Sequence, residues 1–393
     1  MTPATPELVA ARRAVSVMFL ANGIAFASWA ARIPAVRERL ALSDGSLGLA
    51  LVGTTAGAMV AFRAAGPLVA RYGSRRITRV AAALLCAALP LPALAPTFGG
   101  LVVALVGLGA ANGLMDVAMN AQAVEVERRF GRPILSAFHG MFSLGGLVGA
   151  SAGAGAAALD LPPSLHLALV AALLAAGSAL AGRAQVADTA GAEQPAATTG
   201  RRSTRLLLLG VIALCSSVGE GAMADWSAVY LRSELATTAS VAAIGYAAYS
   251  LAMLAGRFSG DRLAHRLGAG AVLRIAGLVV AGGLGAALAI NLPLAMMLGF
   301  ACVGTGLALV VPLVFRAGAG APGVSPGQAL ATLATLATMS YGGFLAGPPL
   351  IGFIADRLGL RVGLAVIVPL ALVIAGLAPL VGGRDRRIVR SRS

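Results

Sequence analysis

Apolar blocks of spanning length recur from one end of the chain to the other, parted by short polar stretches rich in Arg, Gly and Pro. About 20 apolar residues cross the hydrocarbon core as a helix, and an open strand there would leave backbone groups unpaired in lipid. The pattern predicts twelve helical spans, at 14–34, 46–70, 78–97, 99–124, 134–158, 165–183, 206–230, 239–260, 271–290, 293–316, 328–354 and 362–382. Between the sixth and seventh lies the one long non-apolar stretch, rich in Thr, Ala and Gly, which reads as a linker. The expected organisation is all-α and polytopic: a six-helix bundle over 1–185, a cytoplasmic linker over 186–204 and a second six-helix bundle over 205–393.

Composition sharpens this picture. The chain is 58% hydrophobic and 11% charged, against about 25% charged residues in soluble domains, so a soluble fold is excluded. The formal net charge of +15 comes with 30 basic residues, all of them Arg. With the N-terminus inside, most of these fall in loops on one face, including Arg12, Arg13, Arg71, Arg75, Arg76, Arg79, Arg128, Arg129, Arg262 and the tail beyond Arg384. The positive-inside rule then puts both termini in the cytoplasm, in a multi-pass protein of the inner (plasma) membrane, with arginines against anionic lipid headgroups. No Arg run carries the interleaved aromatics of a single-strand binder, so nucleic acid is not an expected partner. Cys86, Cys215 and Cys302 sit one to a segment, as packing residues. No cleavable leader is expected ahead of Arg12-Arg13. No cofactor and no metal are expected, and a monomer is.

The two halves resemble each other. At an offset of 197 residues, Trp29 falls on Trp226, Gly48 on Gly245, and Gly107 and Gly109 on Gly304 and Gly306. Ser143, Gly145 and Gly146 fall on Ser340, Gly342 and Gly343. Six spans followed by six in the same orientation make a parallel repeat about a pseudo-two-fold axis along the membrane normal.

The loop between the second and third spans reads Gly66-Pro-Leu-Val-Ala-Arg71-Tyr-Gly73-Ser-Arg75-Arg76. Together with twelve spans in two matching halves, it resembles the G-x-L-a-D-R-x-G-R-R signature of the major facilitator superfamily of secondary transporters. Ala70 stands where that family has Asp, so the gate contact made by that Asp does not carry over here. In the second half, Gly260-Asp261-Arg262 keeps an Asp-Arg pair and is the expected counterpart. The phrases Asp116-Val-Ala-Met-Asn120-Ala-Gln and Ser136-Ala-Phe-His139-Gly-Met-Phe-Ser143 are similar to a branch that includes a rhizopine-transport-like membrane protein. The resemblance implies that the first and seventh spans line a central cavity, with Asn22, Trp29, Glu220 and Trp226 on its wall; the two Trp equally suit an outer aromatic belt.

Polar residues inside the apolar runs carry the candidate chemistry. In the fourth span Asn112, Asp116 and Asn120 share a face roughly 80° wide, with Met119 beside them. A carboxylate at that depth costs about 2.5–3.5 kcal/mol on insertion scales, so it faces protein or a water-filled path. Two readings follow: a packing residue held by Asn112 or Asn120, or a group that binds proton or substrate. His139 in the fifth span is the expected partner, with Phe142 and Ser143 nearby. Glu220 in the seventh span, with Ser216 and Ser227 on its face, is a second proton-coupling candidate; Asp225 points elsewhere and suits a gate. Tyr246, Tyr249, Ser340 and Tyr341 offer hydroxyls for a cavity or for packing, and Arg63 suits snorkelling to headgroups.

Some patterns fall away. Gly107-x-Gly109 followed by Gly113 imitates a dinucleotide fingerprint inside a span, where small residues for helix contact are the better reading. The Gly/Pro-rich stretch from Gly318 to Gly327 lacks a phosphate-loop Lys, which argues against an ATP-driven pump. His139, His166 and His265 are far apart, and no nucleophile-base set points to an enzyme. Asp356, Arg357 and Arg361 look like a loop signature on the wrong side. The expected function is proton-coupled transport of a small polar solute, sugar- or cyclitol-like, by alternating access. A proton-driven efflux pump is the alternative: Gly343-x-x-x-Gly347-Pro348 is close to an exporter pattern, although the fifth span lacks its Pro. At the 197 offset, Asn112, Asp116 and Asn120 fall on Leu309, Leu313 and Ala317, so the polar face belongs to one half only.

Overall fold

The computed structural model describes residues 5–131, 134–187, 204–319 and 326–382. The first half comprises α1 (Pro6–Ala30), α2 (Ile33–Arg39), α3 (Asp44–Tyr72), α4 (Ser74–Ala88), α5 (Leu91–Leu94), α6 (Phe98–Phe130), α7 (Leu135–Ala158) and α8 (Pro163–Gly182). The second comprises α9 (Thr204–Ser233), α10 (Ala239–Leu267), α11 (Ala269–Ile290), α12 (Pro293–Leu307), α13 (Val310–Ala319), α14 (Pro326–Leu358), α15 (Leu360–Ala365), α16 (Ile367–Leu377) and α17 (Pro379–Gly382). These make twelve spans, with α1/α2, α4/α5, α12/α13 and α15 to α17 each forming one. Apart from its two ends, the linker lies outside the described residues, as do Arg132, Arg201, Arg202 and the arginines beyond 383.

Local chemistry sets the ends and breaks. Thr5, Ser43, Thr97 and Thr238 accept from backbone amides three residues on and so cap α1, α3, α6 and α10. The fourth-span helix runs on to Phe130 rather than stopping near Val124. Glu125 takes Arg128 and Arg129 at 2.7 Å each, which stabilises another turn outside the apolar run. Proline explains the interruptions, because it has no amide hydrogen and its ring crowds the carbonyl four residues back. Helix α12 stops at Leu307 ahead of Pro312, and α15 stops at Ala365 ahead of Pro369.

Within each half, small residues bring helix backbones together. A methyl group on Gly109 would overlap the carbonyl oxygen of Thr54, locking α6 to α3, whereas Gly107 has open space. Gly145 sits in the same way against Leu20 O, tying α7 to α1, and Gly343 against Leu214 O, tying α14 to α9. The packing therefore repeats, but not at one constant offset. Gly145 corresponds to Gly343 rather than Gly342, and Leu20 to Leu214. The offset is one residue longer than 197 in these fifth spans and three shorter in the first, so Trp29 and Trp226 are not packing equivalents.

The halves meet along two seams, α3 against α14 and α7 against α10. At the end away from the termini the contacts are dense. Arg232 Nε donates to Glu38 Oε1 at 2.6 Å, Gly45 N donates to Asp356 Oδ1 at 2.8 Å, and Ser43 Oγ to Asp356 Oδ2 at 3.3 Å. Gly48 and Gly352 pack backbone to backbone beneath them, with the indole of Trp226 against Gly352. Deeper along the α3–α14 seam Thr55 Oγ1 donates to Phe344 O at 3.3 Å. That end is closed.

Candidate substrate and gating site

Two polar clusters lie partway along the seams, and each joins the halves. The first is built on α6 and α14. Asp116 Oδ2 accepts from the Tyr341 hydroxyl at 3.1 Å, and Oδ1 accepts from Asn120 Nδ2 at 3.1 Å. Asn120 also donates to the Asp116 carbonyl oxygen at 2.8 Å, one helical turn back, which fixes its amide. The Tyr341 ring stands 4.3 Å from that of Phe62 on α3 and 6.5 Å from that of Phe344. Asn112 is half-buried on the same face, while Met119 is 1% exposed and belongs to the core of the first half.

The second cluster is built on α7, α9 and α10 around Arg257, which sequence reasoning passed over. Arg257 donates to Ser143 Oγ of the other half at 2.8 Å and stands 4.0 Å from Glu220 Oε2 of its own. Ser143 Oγ passes its hydrogen to His139 O at 3.3 Å, and Ser216 donates to Glu220 Oε1 at 3.2 Å. Tyr246 and Tyr249 stack at 5.6 Å on the same helix as Arg257 and feel the charges of Glu220 and Arg257. The side chains of Arg257 and Glu220 remain 28% and 16% accessible. The missed signal was periodic: Tyr246, Tyr249, Met253 and Arg257 fall within roughly 80° of one helix face.

Asp116 and His139 are not brought together. His139 lies four residues from the start of α7 and Asp116 fourteen from the end of α6, about 6 Å against about 21 Å of helix at 1.5 Å per residue. The imidazole is exposed and edge-on to Phe19 of α1 at 5.3 Å. Phe142 is half-buried, its carbonyl against Gly23. Asn22 is 2% exposed with its amide nitrogen unpartnered, and Trp29 and Trp226 are 4% and 0% exposed, inside the helix packing. Ser340 shares a 2.5 Å hydrogen bond with Ser217 inside the second half, and Ser227 donates to Met223 O. Asp225 is half-buried.

The loop residues divide differently from the sequence expectation. Gly73, Gly268 and Gly359 each break a helix with φ of +82°, +81° and +84°, a conformation that favours glycine. Three residues ahead of them stand Ala70, His265 and Asp356. The counterpart of Ala70 in the second half is therefore His265. Asp261 stands seven residues ahead of Gly268, where the first loop has Gly66, and its side chain lies outside the described residues. The acid missing from position 70 is present as Asp356, and it caps the first turn of α3 across the seam, where the helix dipole favours a negative charge. The apparently misplaced signature thus carries a contact between the halves at the opposite end of the molecule. Arg71 and Arg76 lie over the Tyr72 ring at 5.2 and 5.7 Å, Arg75 donates to Arg183 O at 3.4 Å, and Gly66 has open space. Arg63 and Arg262 are exposed.

Two six-helix halves, paired seams and a three-fold recurrence of the Arg-x-Gly break meet one family description. The sequence profile of the Major Facilitator Superfamily matches residues 15–323. The chain belongs to that superfamily. An uncharacterised transporter of this type from Yersinia pestis is 37% identical over 366 residues, covering 92% of this chain and 93% of its own. Membrane protein MosC of Rhizobium meliloti is 33% identical over 92% of this chain and 88% of its own. Among solved structures, an inward-facing, occupied bacterial homologue of the human lysosomal transporter Spinster superposes with a TM-score of 0.78, at 14% identity over 98% of this chain and 99% of that one. A point mutant of the nucleoside transporter NupG superposes at 0.73, with 13% identity over 94% and 99%. At such identities these structures share the fold of the superfamily, and the chain is a polytopic membrane transporter of it.

Proposed function

We propose that the chain is a secondary active transporter that moves a small polar organic solute, sugar- or cyclitol-like, by alternating access coupled to protons. The observation that carries this reading is that an intramembrane carboxylate, Asp116, is held by a side chain of the opposite half. Ionised, Asp116 accepts from Tyr341 and stabilises the α6–α14 contact; protonated, it is a poorer acceptor, and the contact weakens. A proton then biases two arrangements of the halves through its differential affinity for them. Arg257 does the corresponding task on the other seam, with Ser143 and Glu220 as its alternatives. Between the clusters, hydroxyls, an amide and aromatic rings suit a ligand with several hydroxyls and an apolar face. In this reading the termini are cytoplasmic, the protein acts as a monomer in the inner (plasma) membrane, and the closed end faces out.

The test has two steps. A thermal-shift screen of purified protein against sugars, cyclitols and antibiotics identifies a ligand, since binding to the folded state raises apparent stability. Uptake of that ligand is then measured in proteoliposomes for the wild type and Asp116→Asn. The variant is expected to lose gradient-driven accumulation and keep exchange down a concentration gradient. Driven uptake unchanged in Asp116→Asn would remove Asp116 from coupling.

A further inference from the structure

At the terminus end of the first half, a cleft of about 930 Å³ opens between α4 and α8, on the opposite side of α4 from the substrate region. Its lining includes Arg75, Arg76, Arg79 and Arg183, and no carboxylate is among its described lining residues. Two of its polar groups are buried without a partner: Arg75 Nε, and the hydroxyl of Ser178, which is 6% exposed. Neither is within reach of the open cleft as it stands, but buried polar groups are nearly always satisfied, and a small turn of either side chain toward a ligand would satisfy it. Tyr72, Gly73 and Ala187 stand at the arginine end, and Val80, Ala82, Ala83, Ala175 and Ala179 make up the rest of the described wall. From there an apolar surface continues away from the arginines, through exposed Ala87 and Leu91 on one side and exposed Ala172 and Ala168 on the other.

We propose that this cleft binds one anionic phospholipid of the leaflet at the terminus end. Arg76, Arg79 and Arg183 take the headgroup phosphate, Arg75 and Ser178 turn to meet its remaining oxygens, and the acyl chains lie along the alanine surface of α4 and α8. Charge complementarity and the gradation from arginine to alanine select a lipid over a soluble anion, because a free phosphate would leave the apolar length of the groove in water. Bridging α4 to α8, the lipid stiffens the first half beside the Gly73 break. A basic pocket between spans is a recognised form of headgroup site; here four arginines build it, with two unpartnered polar groups beneath them.

Full-length protein is purified in mild detergent, and retention of lipid is read by native mass spectrometry, with melting temperature in parallel. Phosphatidylglycerol, phosphatidylcholine and inorganic phosphate are the three probes. Phosphatidylglycerol is expected to bind at least tenfold more tightly than phosphatidylcholine, and inorganic phosphate at the same concentration to leave it in place. Arg76→Gln/Arg79→Gln is expected to weaken it by about fivefold per arginine, the equivalent of about 1 kcal/mol for each charge near the surface. Ala83→Trp, at an exposed floor position with every arginine intact, is expected to weaken it as well, which guards against a double variant that merely misfolds. Equal retention of the two lipids, displacement by inorganic phosphate, or wild-type retention in both variants overturns the proposal. So does binding that appears only after deletion of residues 189–200, which would make the linker the occupant.

Discussion

The hydroxyl of Tyr341 on α14 donates to Asp116 Oδ2 on α6 at 3.1 Å, so a carboxylate of one half is held by a phenol of the other. Tyr341→Phe keeps the ring contact with Phe62 and removes only the hydroxyl that donates. A bond to a charged group contributes about 1.5–3 kcal/mol, so the equilibrium between the two arrangements is expected to move by about tenfold or more. Driven transport of the identified solute should fall while the melting temperature changes little. Equal driven transport in Tyr341→Phe and wild type would leave the bond without a coupling role.

Arg257 divides its guanidinium between Ser143 and Glu220, which a flexible ammonium does not reproduce. Arg257→Lys is expected to retain partial transport and Arg257→Met to abolish it. Removing the arginine alone takes from the Glu220 carboxyl the cation beside it, at a cost of about 1–3 kcal/mol given its partial access to water. Melting curves should therefore place Arg257→Met below the double variant Arg257→Met/Glu220→Gln. The reverse order would mean that the two residues are not coupled.

At the closed end, Glu38 and Arg232 pair at 2.6 Å with their side chains 51% and 36% accessible. An exposed pair of this kind contributes about 0–1 kcal/mol, so Glu38→Gln is expected to have a small effect. A covalent link behaves differently. In a Cys302→Ala background, joining Glu38→Cys to Arg232→Cys with a short methanethiosulfonate cross-linker should arrest transport, and reductant should restore it. Asp356→Asn, which removes the charge at the first turn of α3, is expected to favour opening of this end by about two- to fivefold, read as faster labelling of a cysteine at position 38.

Gly109 and Gly107 make a matched pair for the helix contact. A Cβ at 109 would run into Thr54 O, and a Cβ at 107 would meet nothing within 4 Å. Gly109→Leu is expected to lower stability by about 1–3 kcal/mol or more, the range for overpacking, while Gly107→Leu should leave it within experimental scatter. Thermal melts of the two proteins in one detergent distinguish them.

Spanning helices are legible in the sequence because length and hydropathy are properties of each segment alone. The clusters are legible only in part. Asp116, Asn120 and Glu220 stand out as polar residues in apolar runs, and Tyr341 as a hydroxyl on an inner face. Their pairings depend on how the halves dock, which no single helix encodes. Depth counted along neighbouring spans pairs His139 with Asp116, but α6 extends past the apolar run, so equal distance from the predicted ends does not mean equal height. Arg257 is hidden by its own charge, which at the edge of a span reads as a topology signal. Asp356 is visible as a signature without a place, and its partner is a backbone amide, which leaves no trace in sequence.

The breaks that interrupt spans fall in different places in the two halves: the first and third spans part in the first half, between α1 and α2 and between α4 and α5, and the fourth and sixth part in the second. Helix α6 is continuous over 33 residues, while the corresponding span of the second half parts between α12 and α13 ahead of Pro312; α8 is continuous, while its counterpart parts at Val366 and Ala378. Each break frees a carbonyl from its helical bond and gives the chain a place to flex. Each half is then jointed in two of its spans but never in corresponding ones, so rotation of one half against the other bends the two halves at different places.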